Sequence, residues 1–334
     1  MASHQGHGGT HFTSWAQCLV LARNTTGGAA AAVAFSPDSS HVAAGTAGGA
    51  LRVMRAATLE VTMEVAATHD GEAIHDVCFA GSAQVVVTGG GDGRACAFET
   101  RGGGRVLECV RGGGGEEEDD DERYACLAVA FGTSGGKPVL AAAYADGVAV
   151  LWGWDGVVLR ELRGHGGAAL GVDLSRDGAL VATTSSDGTA RVWRAADGAC
   201  AAVLRVGGGG VEARRVRFGA VRTHGLVLVG CSDGSTRAYR VPPAGDAAEV
   251  APLFECGGHG GPVCDVAVGE NGEVLATGSS DKTVRLWTLR DGALCRTLPA
   301  GGPVAGLAFA SQGSPRLLSA TAKGTLKLWG IVPR

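Results

Sequence analysis

The sequence contains one segment almost twice. Residues 180–199 read LVATTSSDGTARVWRAADGA and residues 274–293 read VLATGSSDKTVRLWTLRDGA, with 11 of 20 positions identical. A Gly-His pair precedes each copy; in both, 22 residues separate the histidine from an aspartate, and six separate the aspartate from a tryptophan. A spacing that is repeated in this way predicts an array of similar structural units.

Five weaker copies extend the repeat along the chain. The position of the tryptophan recurs at intervals of 44, 54, 41, 46, 48 and 42 residues. Each copy contains short apolar runs, β-branched or alternating, bounded by Gly, Asp and Ser, and this pattern predicts antiparallel strands joined by tight turns. The seven positions are Met54, Phe98, Trp152, Trp193, Tyr239, Trp287 and Trp329.

These units resemble the WD-repeat β-propeller family. In that family a unit of about 40–45 residues supplies four strands, with Gly-His near its start and Trp near its end. The likeness covers about residues 12–330 and is most specific in the fourth and sixth units, although the Trp-Asp dipeptide of the family follows none of the strand-final tryptophans. The resemblance implies an all-β fold, a seven-bladed β-propeller with four-stranded antiparallel blades.

The two ends of the chain bear on closure of the ring. Only Gly330–Arg334 follow the last tryptophan, too few for another strand, and the apolar run Phe12–Ala22 belongs to no unit. The resemblance implies that this N-terminal run completes the last blade, because an open ring would expose unpaired strand edges. We therefore expect a flexible N-terminus at residues 1–11, one propeller over residues 12–334, and an acidic loop insertion at about residues 111–123.

Composition excludes several classes of function. The formal net charge is −4 and charged residues are 19% of the chain, so no general basic field favours nucleic acid or an anionic membrane. The ten cysteines form no CxxC pair, and no apolar run approaches the ~18 residues of a membrane span. The first residues do not read as a secretory signal. We expect an intracellular protein, cytoplasmic and/or nuclear, without metal, cofactor or small-molecule substrate.

A histidine, a threonine, an aspartate and a tryptophan recur at fixed spacing. Such groups can form a proton relay, but a catalytic triad has no reason to appear three times in one ring. The resemblance implies instead a buried hydrogen-bond network that stabilises a blade, and no catalytic residue is predicted. The sets are His165, Thr183, Asp187 and Trp193; His259, Thr277, Asp281 and Trp287; and His69, Thr88 and Asp92, with Phe98 in place of the tryptophan.

Other units have lost parts of this set. The first unit has Ala44, Gly48 and Met54 at the hydroxyl, aspartate and aromatic positions, and the last has Lys323 at the aspartate position. We therefore expect stiff fourth and sixth blades, and softer first and last blades unless a partner braces them.

The resemblance also implies where partners bind: on the face that carries the loops between the fourth and first strands and between the second and third. One kind of contact position directly precedes the turn aspartate. The side chains at these positions are all small here, and none is a Trp, Tyr or Arg anchor of the kind typical of hot spots. The other kind lies four residues before the end of each first strand. It supplies the candidate partner-binding residues His75, Leu127, Leu170, Arg214 and Cys264, with Ala31 and Ala305 in the remaining units.

The acidic run Glu116–Glu122 (EEEDDDE) is the strongest charge feature. Such a run is typical of a solvated insertion. It would also speed the association of a basic protein surface at low salt.

The favoured function is a non-catalytic scaffold or adaptor that binds other proteins. An alternative is a substrate receptor of a cullin-type ubiquitin ligase, because Trp287-Thr288-Leu289-Arg290 keeps the Trp and Arg of a Trp-Asp-x-Arg motif, with Thr288 in place of the aspartate. A third function, exchange factor for a small GTPase, lacks the membrane anchor and the long ion-binding loop of that group.

Overall fold

The regular structure of the chain consists of β-strands. The computed structural model describes residues 15–26, 28–111, 124–219, 225–241, 248–313 and 315–333. Short runs of Val, Ala, Leu and Thr between Gly, Asp and Ser form the strands, since β-branched and apolar side chains suit a pleated, buried surface. In chain order the strands are β1 Trp15–Thr25, β2 Ala30–Phe35, β3 His41–Thr46, β4 Leu51–Arg55, β5 Val61–Val65, β6 Ile74–Phe79, β7 Val85–Gly90, β8 Arg94–Glu99, β9 Arg105–Val110, β10 Cys126–Ser134, β11 Lys137–Tyr144, β12 Ala149–Gly153, β13 Val158–Leu162, β14 Ala169–Leu174, β15 Leu180–Ser185, β16 Thr189–Arg194, β17 Cys200–Arg205, β18 Ala213–Phe218, β19 Leu226–Cys231, β20 Thr236–Arg240, β21 Ala248–Val250, β22 Phe254–Cys256, β23 Val263–Val268, β24 Val274–Ser279, β25 Thr283–Thr288, β26 Leu294–Pro299, β27 Val304–Phe309, β28 Arg316–Thr321 and β29 Thr325–Pro333.

The strands form seven sheets, here called blades 1 to 7. Blades 1, 2, 3 and 6 contain the consecutive strands β2–β5, β6–β9, β10–β13 and β23–β26. Blade 4 contains β14–β17, blade 5 contains β18, β19, β20 and β22, and blade 7 contains β27, β28, β29 and β1. Within each blade we name the four strands a to d in that order. The a strands of neighbouring blades contact one another in a closed circle around a central channel, which confirms the predicted seven-bladed propeller.

Strand β1 closes the ring. It pairs antiparallel with β29, from Thr25 opposite Thr325 to Trp15 opposite Pro333. The N-terminal strand is therefore the outermost strand of blade 7, as the resemblance implies. Its described part covers Trp15–Thr25 and extends past the predicted end at Ala22, and residues 12–14 lie outside the described residues. The pairing joins the two ends of the described chain in one sheet and covers the edge that β29 would otherwise expose.

The core is divided among the seven gaps between blades. Each pair of neighbouring blades, including blades 7 and 1, encloses one cluster of buried apolar side chains. In the gap between blades 7 and 1, Met54 and Leu59 share a cluster with Leu318 and Leu328. Burying one side chain of this size contributes about 1.5–3 kcal/mol, so closure of the ring is supported by packing as well as by the pairing of β1.

One strand departs from the four-stranded pattern. Strand β21 pairs in parallel with β17 as a fifth strand on the outer edge of blade 4, where Arg205 Nε lies 2.9 Å from Glu249 Oε1. The d strand of blade 5, β22, has only three residues. The sequence did not predict this crossover, because a strand of three residues is too short to show a periodic pattern.

Two of the predicted features, the flexible N-terminus at residues 1–11 and the acidic run Glu116–Glu122, lie outside the described residues. In the described part of the chain, no helix is long and apolar enough to cross a membrane.

Candidate protein-interaction site

The polar set of blade 4 forms one continuous hydrogen-bond chain. Asp187 lies in the turn between β15 and β16, and His165 lies in the loop before β14. His165 Nδ1 is 3.1 Å from Asp187 Oδ2, and His165 Nε2 is 2.7 Å from Thr183 Oγ1. The indole N–H of Trp193 donates to the same hydroxyl at 2.8 Å. The four side chains thus connect the d–a loop with strands b and c.

Donation runs in one direction along this chain. The Trp193 indole can only donate, so the Thr183 hydroxyl accepts from it and donates to His165 Nε2, and the Nδ1–H donates to Asp187. Burial lowers the pKa of His165, which keeps the ring neutral and able to accept. Burial alone would raise the pKa of Asp187, but hydrogen bonds, foremost that of Thr189, bring it down to about 2.

Blade 6 repeats this geometry. His259 Nδ1 lies 2.9 Å from Asp281 Oδ2, and its Nε2 lies 2.8 Å from Thr277 Oγ1. Trp287 donates to the Thr277 hydroxyl at 2.9 Å. As in blade 4, burial lowers the pKa of the histidine, and the pKa of Asp281 is about 2.

Blade 2 has a shorter chain. His69 Nδ1 lies 2.8 Å from Asp92 Oδ1 and its Nε2 lies 2.8 Å from Thr88 Oγ1. Phe98 has no N–H to donate, and the Thr88 hydroxyl lies 3.4 Å from the carbonyl of Cys96. The stabilising role of all three chains stays a prediction, which substitution of a hydroxyl tests directly.

The glycine before the histidine has a structural reason. The guanidinium of Arg191 lies over the Trp193 ring, 5.8 Å from its centroid, and a Cβ at Gly164 would lie 2.9 Å from that guanidinium. Arg285 and Gly258 repeat the arrangement at 2.8 Å, and Gly258 also has a φ of +115°, which strongly favours glycine. The Gly-His pair therefore reflects close packing of the d–a loop against an arginine.

Blade 7 keeps one contact of the set despite Lys323. Trp329 Nε1 donates to Ser319 Oγ at 2.8 Å. Ser319 was not among the predicted residues, although it lies ten residues before the strand-final tryptophan, the spacing that also joins Thr183 to Trp193. The softer last blade stays a prediction, and this bond weighs against it.

Blades 3 and 5 use other contacts at the same place. In blade 3, Arg111 forms an ion pair with Asp146 and lies over the Tyr144 ring, 5.6 Å from its centroid. In blade 5, the Tyr239 hydroxyl donates to the carbonyl of Arg205 at 2.8 Å. Arginine and tyrosine thus take over the linking role that histidine and tryptophan have in blades 4 and 6.

None of these sets presents a reactive group to solvent. The hydroxyl-bearing residues Thr88, Thr183 and Thr277 are fully buried, and their hydroxyls are engaged by their neighbours. Within the described ranges, no three or more His, Cys, Asp or Glu side chains gather as a metal site, and the nine cysteines whose side chains are described are free. The sets can hold loops and strands together; they lack an accessible nucleophile.

A β-bulge recurs in the a strand of every blade. The pairing of strands a and b skips one residue at the same position all seven times. A bulge leaves its extra residue outside the ladder and redirects its side chain, and all seven bulge residues are partly exposed. They include every predicted partner-binding residue: Ala31, His75, Leu127, Leu170, Arg214, Cys264 and Ala305.

These bulge residues surround the channel mouth on the face that carries the d–a and b–c loops, here called the upper face. The large ones follow one another around blades 2 to 5: His75, Leu127, Leu170 and Arg214. The Arg214 side chain is 41% exposed, and its Nη1 lies 2.9 Å from Glu212 Oε2. Burial is the main cause of the lowered pKa of His75. On this part of the rim, two leucines on blades 3 and 4 form an apolar centre, with a histidine on blade 2 at one side and an arginine on blade 5 at the other.

Just below the mouth, charged side chains cross the channel, and none of them was among the predicted site residues. Arg215 of blade 5 lies 3.5 Å from Asp76 of blade 2 and 3.8 Å from Asp265 of blade 6. The two aspartates also accept the N–H groups of Val129 and Leu307 in the next blades. Because blades 2 and 5 are not neighbours, Arg215 connects opposite sides of the ring.

The residue just before the turn aspartate, the other kind of predicted contact position, forms a backbone hydrogen bond in every blade. In each b–c turn the N–H donates to a carbonyl of the d–a loop, as Ser186 does to Ala168 at 3.0 Å. The side chains there are small, so this part of the upper face is shallow. The seven residues are Ala47, Gly91, Ala145, Ser186, Ser232, Ser280 and Ala322.

The segment considered for a ligase adaptor lies at the opposite, lower face, in the turn between β25 and β26. Leu289 is buried, the Thr288 hydroxyl donates to Asp291, and Arg290 is exposed. Thr288 therefore keeps the turn closed and leaves Arg290 accessible.

Two stretches of the chain, residues 156–194 and 251–288, match the family model described as WD domain, G-beta repeat. The chain is 30% identical over 193 residues to Periodic tryptophan protein 2 homolog of Dictyostelium discoideum, covering 55% of this chain and 20% of that protein. It is 31% identical over 139 residues to Transducin beta-like protein 3 of Bos taurus, covering 38% and 17%. For Cilia- and flagella-associated protein 43 of Chlamydomonas reinhardtii the identity is 28% over 186 residues, covering 50% and 10%.

The seven blades, the closing strand and the recurring polar sets define a seven-bladed β-propeller. Two stretches of this propeller, in the region of blades 4 and 6, match the WD-repeat model, so the chain is a seven-bladed β-propeller that contains WD repeats. It spans a fifth or less of the length of the relatives named above.

Proposed function

We propose that the chain is a non-catalytic scaffold that binds partner proteins on its upper face, at the mouth of the central channel. The observation that carries this proposal is the β-bulge in all seven a strands, which leaves one partly exposed residue per blade around the mouth. A bulge costs a regular ladder position, so its recurrence favours a use for the residues that it presents.

The chemistry of the mouth favours a partner of mixed character. Leu127 and Leu170 offer an apolar contact, and Arg214 offers a cation whose ion pair with Glu212 is close to solvent. A partner segment with an apolar side chain followed by an acidic one would match both. Because the surrounding turn residues are small, we expect modest affinity, without large anchors of the hot-spot type.

The absence of catalysis belongs to the same proposal. Among the described residues, the recurring His, Asp and hydroxyl groups are hydrogen-bonded to one another, and the hydroxyl-bearing threonines are fully buried. A general base and a nucleophile must both reach a substrate. The geometry of the described residues favours a binding function over a chemical one.

The test requires a partner, which affinity purification with mass spectrometry would identify. The double variant Leu170→Glu, Arg214→Glu replaces the apolar centre and the cation of the mouth. We expect the dissociation constant for that partner to rise at least about tenfold, equivalent to about 1.4 kcal/mol.

A matched control makes the same two kinds of change elsewhere. Val157 is 56% exposed and the Arg176 side chain is 68% exposed, and both lie away from the mouth. The variant Val157→Glu, Arg176→Glu should bind as the original chain does. If the mouth variant binds normally and the control does not, the interface lies on the side or the lower face and the proposal is wrong.

A second candidate function is the cullin-ligase substrate receptor, because Arg290 is exposed at the lower face. Capture by the ligase's large propeller adaptor would support it, provided that Arg290→Ala abolishes capture and Arg101→Ala, in the corresponding turn of blade 2, does not. Equal capture of both variants would exclude a role for Arg290.

Two further parts of the proposal concern the acidic run and the location. Glu116–Glu122 would attract a basic partner surface, so replacing its carboxylates by amides should slow association at low salt and leave it unchanged at high salt. A cytoplasmic and/or nuclear location would be checked by microscopy of the tagged chain.

A further inference from the structure

Three of the four lysines of the chain lie around one loop, residues 299–302, which we call the lysine loop. Lys327 Nζ donates to the carbonyl of Pro299 at 2.9 Å. The carbonyl of Lys282 accepts the N–H of Ala300 at 3.0 Å. A Cβ at Gly302 would lie 3.7 Å from Cδ of Lys323. In a chain that otherwise uses arginine, this convergence is specific to blades 6 and 7.

In other blades an aspartate occupies the corresponding place. The N–H of Gly166 donates to Asp187 at 2.9 Å, and the N–H of Gly260 donates to Asp281 at 3.0 Å. Each of these glycines lies three residues before strand a of its blade, the position that Gly301 holds in blade 7.

In blade 7, Lys323 takes the turn position of the aspartate. Gly301 is exposed, and no acceptor for its N–H is found among the described residues. The loop therefore keeps the donor and has a cation where its sister blades have the acceptor.

No carboxylate of the described residues neutralises the charge of two of these three lysines. Within the described part of the chain, neither Lys282 nor Lys323 has a carboxylate within ion-pair distance. Asp281 is next to Lys282 in sequence, but it already holds His259 and Gly260.

Blades 1 and 5 differ in this respect. Arg52 and Arg237 on their c strands pair with a glutamate of strand d, Glu64 at 2.8 Å and Glu255 at 3.1 Å. In blade 7 the strand-d residue opposite Lys327 is Arg23, and Lys327 Nζ donates to the carbonyl of Pro299 and lies over the Trp329 ring.

We propose that the lysine loop is a docking site for an acidic segment of a partner protein. One carboxylate of that segment accepts the N–H of Gly301 and lies between Lys323 and Lys327, where Asp187 and Asp281 lie in their own blades. The site is separate from the channel mouth, so binding there does not depend on the mouth residues.

A protein segment fits this site better than nucleic acid. Single-stranded nucleic acid is bound by grooves that combine cations with exposed aromatic rings on which bases stack. The aromatic rings next to the loop, Trp287 and Trp329, are 3% and 4% exposed and cannot serve as stacking surfaces. Lysine ammonium groups and a single backbone N–H suit a carboxylate.

The test uses the full chain and fluorescence anisotropy at low salt. The probe is a short fluorescein-labelled peptide of Glu and Asp, compared with its Gln and Asn counterpart. A labelled oligouridylate of similar length tests for nucleic acid. Inorganic phosphate, added as a competitor, tests for a general anion site.

The decisive variant is Lys323→Asp, which restores the turn residue of blades 4 and 6. The new carboxylate should accept the N–H of Gly301, so the variant should fold and melt no lower than the original chain. Binding of the acidic peptide should weaken at least about tenfold, since an attraction becomes a repulsion. Lys137→Asp, at the remaining exposed lysine in β11, makes the same change of charge and should leave binding intact.

A second variant does not depend on the new turn. Lys282 has a φ of +72°, and blade 4 has Gly188 at this position with a φ of +80°. Lys282→Gly therefore suits the backbone and should weaken the peptide several-fold.

Several results would overturn the proposal. They are no binding of the acidic peptide, equal weakening by Lys323→Asp and Lys137→Asp, tighter binding of the oligouridylate than of the peptide, or displacement of the peptide by phosphate at low millimolar concentration. Normal mouth binding in Lys323→Asp would show that the two sites are separate.

Discussion

Replacing Thr183 with valine removes one hydroxyl from the centre of the blade 4 chain and hardly changes the volume of the side chain. The indole N–H of Trp193, whose side chain is 2% exposed, loses its acceptor, and His165 Nε2 loses its donor. An unsatisfied buried polar group costs about 1–3 kcal/mol. Two such groups predict a loss of about 2–6 kcal/mol in the free energy of unfolding.

The same loss can be stated as a melting temperature. Unfolding entropy is about 2.1 cal/mol/K per residue, which gives about 0.7 kcal/mol/K for 334 residues. The melting temperature of Thr183→Val should therefore fall by about 3–9 °C in differential scanning calorimetry. A urea titration followed by tryptophan fluorescence should show a matching decrease in the midpoint.

The neighbouring residue supplies the control. Thr184 is fully buried in the same strand, and its Oγ1 has no hydrogen-bond partner among the described residues. Thr184→Val makes the same chemical change and removes no hydrogen bond, so its melting temperature should stay within about 1 °C of the original or rise. If the two variants melt alike, the hydrogen-bond chain does not stabilise blade 4 and the reasoning is refuted.

Three further perturbations have defined outcomes. Acid should lower stability in two steps: the folded pKa of His165 is below the ordinary ~6.5, so stability falls as pH drops below that value, and Asp187, with a folded pKa of about 2, adds a loss between about pH 4 and 2. Gly90→Ala should lower the melting temperature, because a Cβ there would lie 2.2 Å from the ring of His69. Arg215→Met should lower the free energy of unfolding in urea by about 1–3 kcal/mol, because Asp76 loses its ion pair with Arg215 and Asp265 keeps only that with Arg217.

Each of these has its own control. Asp187→Asn should make the loss between pH 4 and 2 smaller by the share of one carboxylate, since Asp281 and Asp38 also have a pKa of about 2. Gly48→Ala places its methyl group in open space and should melt normally. Arg214→Met, at an exposed neighbour of Arg215, should change the urea midpoint little, and a loss equal to that of Arg215→Met would show that the channel contacts have no special role.

The sequence predicts the ring well because each blade leaves several independent marks. An apolar run ends at a large residue such as Phe35 or Phe79, a polar turn follows, and an aromatic residue closes strand c. The end of strand a follows from this pattern in six of the seven units, whereas β10 in blade 3 continues past Phe131 to Ser134. The closing strand was predictable for the same reason, since the run before the first unit has no partners of its own.

What the sequence did not show depends on contacts between distant parts of the chain. Arg215 and Asp76 meet only because their blades face each other across the channel, and no local pattern marks such a pair. Ser319 carries no clear mark in the sequence, because the aspartate position of its unit holds Lys323 and the polar set is incomplete there. The bulges explain in physical terms why one position of each a strand is exposed, which the sequence alone gave only through resemblance.

Repeat units that keep the polar set and repeat units that have lost it have different roles. Blades 4 and 6 carry complete polar chains, which hold their loops in place. The lysine loop and the channel mouth occur where the copies differ, and these are the surfaces proposed for partners. A repeat protein with a common framework can acquire separate binding sites in this way, since each blade contacts mainly its neighbours.

The most direct test of the scaffold proposal is hydrogen–deuterium exchange of the chain, free and bound to the first partner that affinity purification identifies. The account predicts slower exchange on binding at the bulges of blades 2 to 5, in residues 73–76, 125–128, 168–171 and 212–215. Protection confined to the outer strands β9 and β13, or to the turn around Arg290, would contradict it.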